Sequence, residues 1–149
     1  MATTSHDVVQ HGRMTVVVRP CQSVADVAAV EETLPTGPSA FHRERYERRD
    51  GSTYLLAWAG DVPVGHVLVT PQSKYAEVRA ALGRFPEVNG LGVMETFQRR
   101  GVGRALMQAA LREADIMSGD RLGLAVEPHR GPAVHLYESL ASSITSTST

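Results

Sequence analysis

A short arginine- and glycine-rich turn is the part of this sequence best suited to chemistry. Residues 98–103 read QRRGVG, and apolar side chains at spacings of three and four follow them to Met117. That spacing predicts a helix, and the first N–H groups of a helix lack carbonyl partners and carry partial positive charge. Glycine lets the backbone approach a phosphate without a Cβ in between. The turn therefore predicts an anion-binding site at the start of a helix.

The composition excludes several classes of partner and site. The 149 residues are 42% hydrophobic and 21% charged, as expected for one soluble globular domain with its own core. A net charge of −1 provides no general attraction to nucleic acid or to a membrane surface. Cys21 is the only cysteine, which excludes an internal disulfide and a cysteine zinc cluster. No apolar run is long enough to span a membrane or to act as a secretory signal, so we expect a cytoplasmic protein.

The rest of the chain predicts an α/β domain over residues 14–140. Residues 1–13 show no sustained period and are predicted to be a loose leader, and residues 141–149 form a Ser/Thr-rich tail that cannot pack a core. The predicted elements are strand 15–19, helices 24–34 and 40–49, strands 53–59, 62–70 and 87–94, helix 103–118, strand 121–126 and helix 133–140. Residues 75–82 are predicted to form a short helix, which is either a wall over a substrate cleft or a surface connector. The order β-α-α-β-β-β-α-β-α predicts a mixed, mostly antiparallel sheet flanked by helices.

The strand before the turn has two different faces. On a period of two, one face carries Glu87, Asn89, Leu91 and Val93. The other face carries two glycines, where a helix or a backbone can approach closely.

Three segments together resemble the GCN5-related N-acetyltransferase (GNAT) family. Residues 98–103 match its Q/R-x-x-G-x-G/A signature, Leu91-Gly92-Val93 matches its L-x-V, and AVHLYESL at 133–140 resembles its A-x-x-L-Y-x-x-L segment. The resemblance covers residues 15–140, with the elements in the family's order.

The resemblance implies that acetyl-CoA binds as a co-substrate between the fourth and fifth predicted strands and transfers its acetyl group directly to an amine acceptor. The backbone N–H groups of residues 100–105 would hold the pyrophosphate, and the strand edge at Leu91 to Val93 would pair with the pantetheine arm. The N–H of Val93 would stabilise the oxyanion. The residues implied in cofactor binding are Leu91, Gly92, Val93, Gln98, Arg99, Arg100, Gly101, Val102, Gly103, Arg104 and Ala105.

Transfer to an amine requires one proton to leave the ammonium and another to reach the leaving thiolate. The resemblance implies Tyr137 as the acid, against the alternative that its ring only packs on the pantetheine. It implies Glu87 as the base, directly or through water, against the alternative of a surface carboxylate. Asn89 would order a water or contact the acceptor.

Other interpretations of the same residues are weaker. The turn lacks the third glycine of a dinucleotide site and the Lys-Ser/Thr pair of a P-loop. The six histidines form no metal-binding pair, so no metal is expected. For His66 and His135, packing against neighbouring side chains is a simpler interpretation than a position in the cleft. Trp58 and Phe41 are expected in the core, and Cys21, next to a helix start, is not expected to act as a nucleophile.

Two departures from the family pattern bear on activity. Residues 127–132, EPHRGP, stand where the family often has an asparagine, and Ala141 with the tail stands where the family continues into two more strands. The sequence therefore predicts a domain that lacks the C-terminal two strands and leaves the strand at 121–126 as an open apolar edge. The alternatives to an active transferase are a non-catalytic acyl-CoA-binding or regulatory module, a truncated inactive transferase, and an interaction domain that forms a homodimer through this edge.

Overall fold

A computed structural model describes residues 7–11, 14–38, 40–117 and 123–124 of the chain. They form a six-stranded sheet in which the strands lie side by side in chain order. In chain order the strands are β1 (Asp7–His11), β2 (Met14–Pro20), β3 (Thr53–Ala59), β4 (Val62–Thr70), β5 (Glu87–Val93) and β6 (Gly123–Leu124). β1 to β5 pair antiparallel, and β6 pairs parallel to β5. The predicted mixed, mostly antiparallel sheet is confirmed.

In the described part of the chain, four α-helices accompany the sheet: α1 (Val24–Thr33), α2 (Phe41–Tyr46), α3 (Ala76–Leu82) and α4 (Val102–Met117). α1 begins as its sequence predicts, because the Ser23 hydroxyl accepts a hydrogen bond from the Asp26 N–H at 3.1 Å. The Asp26 carboxylate in turn accepts from the Gln22 N–H at 2.9 Å. The predicted short helix at residues 75–82 is confirmed by α3.

The predicted loose leader is wrong for residues 7–11. These residues form β1, in which Val8 and Val9 lie opposite Val17 and Val16 of β2. The segment is too short to show a clear period, but β2 offers it a full strand edge, and pairing satisfies backbone groups that a free leader would leave to water.

Each face of the sheet carries its own apolar cluster. Between the sheet and α4 lies the larger one, which includes Val18, Val67 and Leu106. Alanines 105, 109, 110 and 114 line the buried side of α4 and allow the helix to lie close to the strands. On the opposite face, Leu56, Trp58 and Leu68 pack beneath Val30 of α1, which confirms Trp58 as a core residue.

Candidate active site

The glycine turn leads directly into α4. Two residues of the turn have left-handed backbone, Arg99 with φ of 64° and Gly101 with φ of 86°. The Gly101 carbonyl accepts the first helical hydrogen bond, from the Ala105 N–H at 3.0 Å. Val102 is buried and anchors the start of the helix, while Arg99, Arg100 and Arg104 are exposed. The N–H groups at the start of α4 thus lie beside three exposed guanidinium groups, as an anion site requires.

β5 contains a bulge, and the side chains after the bulge lie on the opposite face of the sheet from the one that their spacing predicts. Gly90 has φ of 63°, and the register to β4 passes from Leu68 opposite Asn89 to His66 opposite Gly92, so β5 carries one extra residue. Beyond the bulge, Leu91 enters the α4-side cluster. The expectation that Glu87, Asn89, Leu91 and Val93 share a face is therefore wrong, because the extra residue reverses the alternation after Asn89.

On the side away from β4, the end of β5 has no strand beside it within the described part of the chain. The Met94 N–H donates to the Val64 carbonyl of β4 at 2.8 Å, and since neighbouring residues of a strand point their backbone groups in opposite directions, the N–H and carbonyl of Val93 face away from β4. The Val93 carbonyl accepts a hydrogen bond from the Gln98 side chain at 3.0 Å. β6 pairs only with Glu87 and Val88. Among the described residues, no strand lies beside the rest of β5 on this side.

Glu87 and Asn89 lie in a buried polar pocket rather than at the surface. They are 4% and 5% exposed, so the alternative of a surface carboxylate for Glu87 is wrong. The Glu87 carboxylate accepts from the Lys74 N–H at 3.3 Å, and the Asn89 amide donates to the Thr70 hydroxyl at 3.4 Å. Within the described chain, the Asn89 Oδ1 is buried without a hydrogen-bond donor, so the pocket offers an acceptor to a water or a ligand N–H.

A cluster of rings and one arginine lies on the same face as this pocket. His42 of α2 donates from Nε2 to the Leu34 carbonyl at 2.7 Å, and its Nδ1 accepts from the Tyr54 hydroxyl. Burial lowers the pKa of His42 and raises the pKa of Tyr54 well above its ordinary range, so both are neutral at pH 7. The His66 ring lies 5.1 Å from that of His42 and 5.6 Å from that of Phe41.

Arg45 of α2 extends this cluster toward the bulge. Its guanidinium carbon lies 3.6 Å from the centre of the Phe41 ring, and its side chain faces Gly90. Burial lowers the pKa of Arg45, although the group stays charged at neutral pH. The sequence interpretation missed Arg45, His42 and Tyr54 as members of this cluster; for Tyr54 a signal existed, because its period-two alternation with Trp58 places both on one face.

The comparisons with known proteins now decide the family. The model of the acetyltransferase (GNAT) family matches residues 22–141. The chain belongs to the GNAT family. No curated protein sequence gives a significant match to this GNAT chain.

Solved structures share the GNAT fold with this chain. The GNAT domain of PAT from S. lividans has a TM-score of 0.69 at 16% identity, over 91% of this chain and 85% of that one. Ribosomal-protein-alanine N-acetyltransferase from Brucella melitensis has a TM-score of 0.66 at 19% identity, over 84% and 90% of the two chains. Aminoglycoside N-acetyltransferase AAC(6')-Iy, solved with CoA, has a TM-score of 0.65 at 16% identity, over 83% and 88%. At these identities the likeness establishes the fold.

The structure brings most of the predicted GNAT site residues together. The strand edge and the turn meet through the bond from Gln98 to Val93. Glu87 and Asn89 occupy the same strand, on the other side of the bulge. Tyr137, His135, the segment at 127–132 and the tail lie outside the described residues, so the acid and the missing C-terminal strands stay predictions.

The surroundings of Cys21 in this GNAT domain oppose a reactive thiol. Burial raises the pKa of the Cys21 thiol to about 11, with the Asp26 carboxylate acting in the same direction, which opposes formation of a reactive thiolate. Within the described ranges, no three His, Cys, Asp or Glu side chains are placed to hold a metal ion. In the same ranges, no helix combines the length and the apolar character needed to cross a bilayer.

Proposed function

We propose that this GNAT domain transfers the acetyl group of acetyl-CoA to an amine by direct attack. The observation that carries the proposal is the edge of β5, which has no strand beside Leu91 to Val93 among the described residues and which the bond from Gln98 to Val93 ties to the turn before α4. A strand edge and a helix N-terminus suit the two polar parts of CoA, the pantetheine amides and the pyrophosphate.

Each part of the described site has a role in this proposal. The N–H groups at the start of α4 bind the pyrophosphate, and Arg99, Arg100 and Arg104 supply positive charge around it. The backbone of Leu91 to Val93 pairs with the pantetheine arm. The Val93 N–H, directed away from β4, donates to the thioester oxygen as negative charge develops there.

Proton transfer uses the face of β5 that carries Glu87. The Glu87 carboxylate is the final acceptor of the ammonium proton, through water, and the unpartnered Asn89 Oδ1 holds one of the waters on this path. Tyr137 gives a proton to the leaving thiolate. The nucleophile is the acceptor's own amine, so no covalent enzyme intermediate and no metal takes part.

The acceptor is an amine of a small molecule or of a protein. The names of two structural neighbours, an aminoglycoside N-acetyltransferase and a ribosomal-protein-alanine N-acetyltransferase, fit these two classes. We therefore include aminoglycosides, simple amines and peptides with free N-termini in the screen, and place the protein in the cytoplasm.

The test combines binding with turnover. Acetyl-CoA should raise the melting temperature of the wild type, and an amine from the panel should release free CoA, detected as a thiol. Gly101→Glu places a carboxylate against the anion site and should abolish the stabilisation. Gly37→Glu is the matched control, because a side chain at Gly37 meets nothing within 4 Å. CoA binding without release for any amine would instead support a non-catalytic acyl-CoA-binding module.

A further inference from the structure

Gly92 lies opposite His66, and its lack of a side chain leaves room for the imidazole. A Cβ placed on Gly92 would lie 2.5 Å from Nε2 of His66 and 3.0 Å from its Cε1. The imidazole edge that carries Nε2 therefore lies directly over the β5 backbone, in a place that any other residue at position 92 would fill. The histidine is 6% exposed and lies both against the rings of Phe41 and His42 and over the backbone of the neighbouring strand.

This position is close to the expected reaction centre. Gly92 immediately precedes Val93, whose N–H faces away from β4. Glu87 precedes Val93 by six residues, which in an extended strand corresponds to about 20 Å. The carboxylate is thus too distant to contact an amine held at Val93, whereas the imidazole lies above the adjacent residue.

We propose that His66 is a catalytic residue whose Nε2 takes the proton directly from the acceptor ammonium. This inference rests on the proposed function and deepens it. The N–H bond of the ammonium breaks, and its proton moves to Nε2 while its electron pair stays on nitrogen. That pair forms the new bond to the thioester carbon, and the carbon–sulfur bond breaks with its electrons on sulfur, which then takes a proton from Tyr137. His66 releases its own proton toward Glu87 and solvent.

The groups packed around the imidazole come from α2 and β3. His42 is held neutral between Leu34 and Tyr54, so it adds no charge. Arg45 of α2 faces the neighbouring Gly90 and stacks on the Phe41 ring. Tyr54 of β3, whose ring centre lies 6.1 Å from that of His66, is neutral as well.

The experiment compares His66→Gln with Glu87→Gln in the full chain, using the best amine from the panel. The wild-type kcat/KM should rise with increasing pH, with a midpoint at about pH 6.5 as expected for a histidine, and then level off. His66→Gln should lose this rise and about 10²- to 10⁴-fold in kcat, while the Kd for CoA changes less than about twofold. Glu87→Gln should keep the rise, because its carboxylate acts after the imidazole.

Two controls separate this role from packing. Circular dichroism checks that each variant folds; if His66→Gln does not, His66→Asn and Gly92→Ala replace it, the latter because its methyl displaces Nε2. If a variant folds, still shows the rise of kcat/KM with pH and keeps its kcat within about threefold of the wild-type value, His66 only packs against its neighbours. If the wild type releases no CoA with any amine, the proposed function fails, and the role of His66 fails with it. If the wild type releases CoA and the variant is unaffected, the role of His66 is refuted while the proposed function stands.

Discussion

A double-mutant cycle between Gly65 and Leu106 tests how tightly α4, and with it the anion site, is seated on the sheet. A Cβ on Gly65 would lie 2.8 Å from Cδ1 of Leu106 and 3.1 Å from the Gly92 carbonyl oxygen. Gly65→Ala should therefore cost about 1–3 kcal/mol by overpacking, reduced by about 0.4–1 kcal/mol because alanine restricts the unfolded chain. Leu106 is fully buried, so Leu106→Ala should cost about 3–5 kcal/mol.

The double variant should be more stable than the sum of the single changes. Alanine at position 106 removes the atom that the new methyl meets, and that methyl fills part of the cavity, so we expect a favourable coupling of about 1–2 kcal/mol. Urea denaturation of the four proteins measures it, and each kcal/mol shifts the melting temperature by about 2–4 °C. Gly37→Ala combined with Leu106→Ala is the control and should be additive. Additivity of the Gly65 pair as well would refute the close packing of α4 on β4.

Two further predictions concern the turn and the ring cluster. Gly101→Ala should weaken CoA binding about five- to tenfold, because the free alanine turn leaves φ of 86° and binding must restore a conformation that costs about 1 kcal/mol or more; calorimetry measures the Kd, and an unchanged value would show that the alanine turn keeps this conformation without CoA. Since burial lowers the pKa of His42, the unfolded state binds more protons as the pH falls below about 6.5. Stability should then decrease from pH 7 to pH 5, by up to about 1.4 kcal/mol per pH unit from this residue. His42→Gln should flatten the slope, and an equal slope in the variant would assign it to other groups.

The elements that carry strong local signals could be predicted from the sequence. The hairpin at Gly60 lies where its turn residues place it, with Gly60 at φ of 61°. α1 begins at its Ser23 cap, and α4 follows the glycine turn as its apolar spacing predicts. These features depend on residues within one or two turns of each other, so a single sequence contains them.

Features that depend on a partner strand could not be predicted. β1 forms because β2 presents an edge, and nothing within residues 7–11 indicates which edge that is. The bulge at Gly90 is equally hidden, since a glycine in a strand predicts either a bulge or a close approach. Its effect is large, because one extra residue moves Leu91 to the α4 side.

The candidate site was predictable where it consists of backbone and less so where it consists of side chains. The turn and the strand edge could be located from residues 91–105 alone. The ring cluster joins α2, β3 and β4, and its relation to Gly92 appears only once the register of β4 and β5 is known.

The hydrogen bond from Gln98 to the Val93 carbonyl fixes the strand edge and the start of α4 at one separation. Two binding surfaces fixed at one separation take hold of a long ligand cooperatively, because engagement of the first end raises the effective concentration of the second. Pantetheine and adenosine bisphosphate should each bind weakly as fragments, and intact CoA should bind far more tightly than either. Gln98→Ala should leave the fragment affinities unchanged and reduce only the advantage of the linked molecule. Under the proposed function, part of the affinity for CoA then resides in a side chain that need not touch CoA at all.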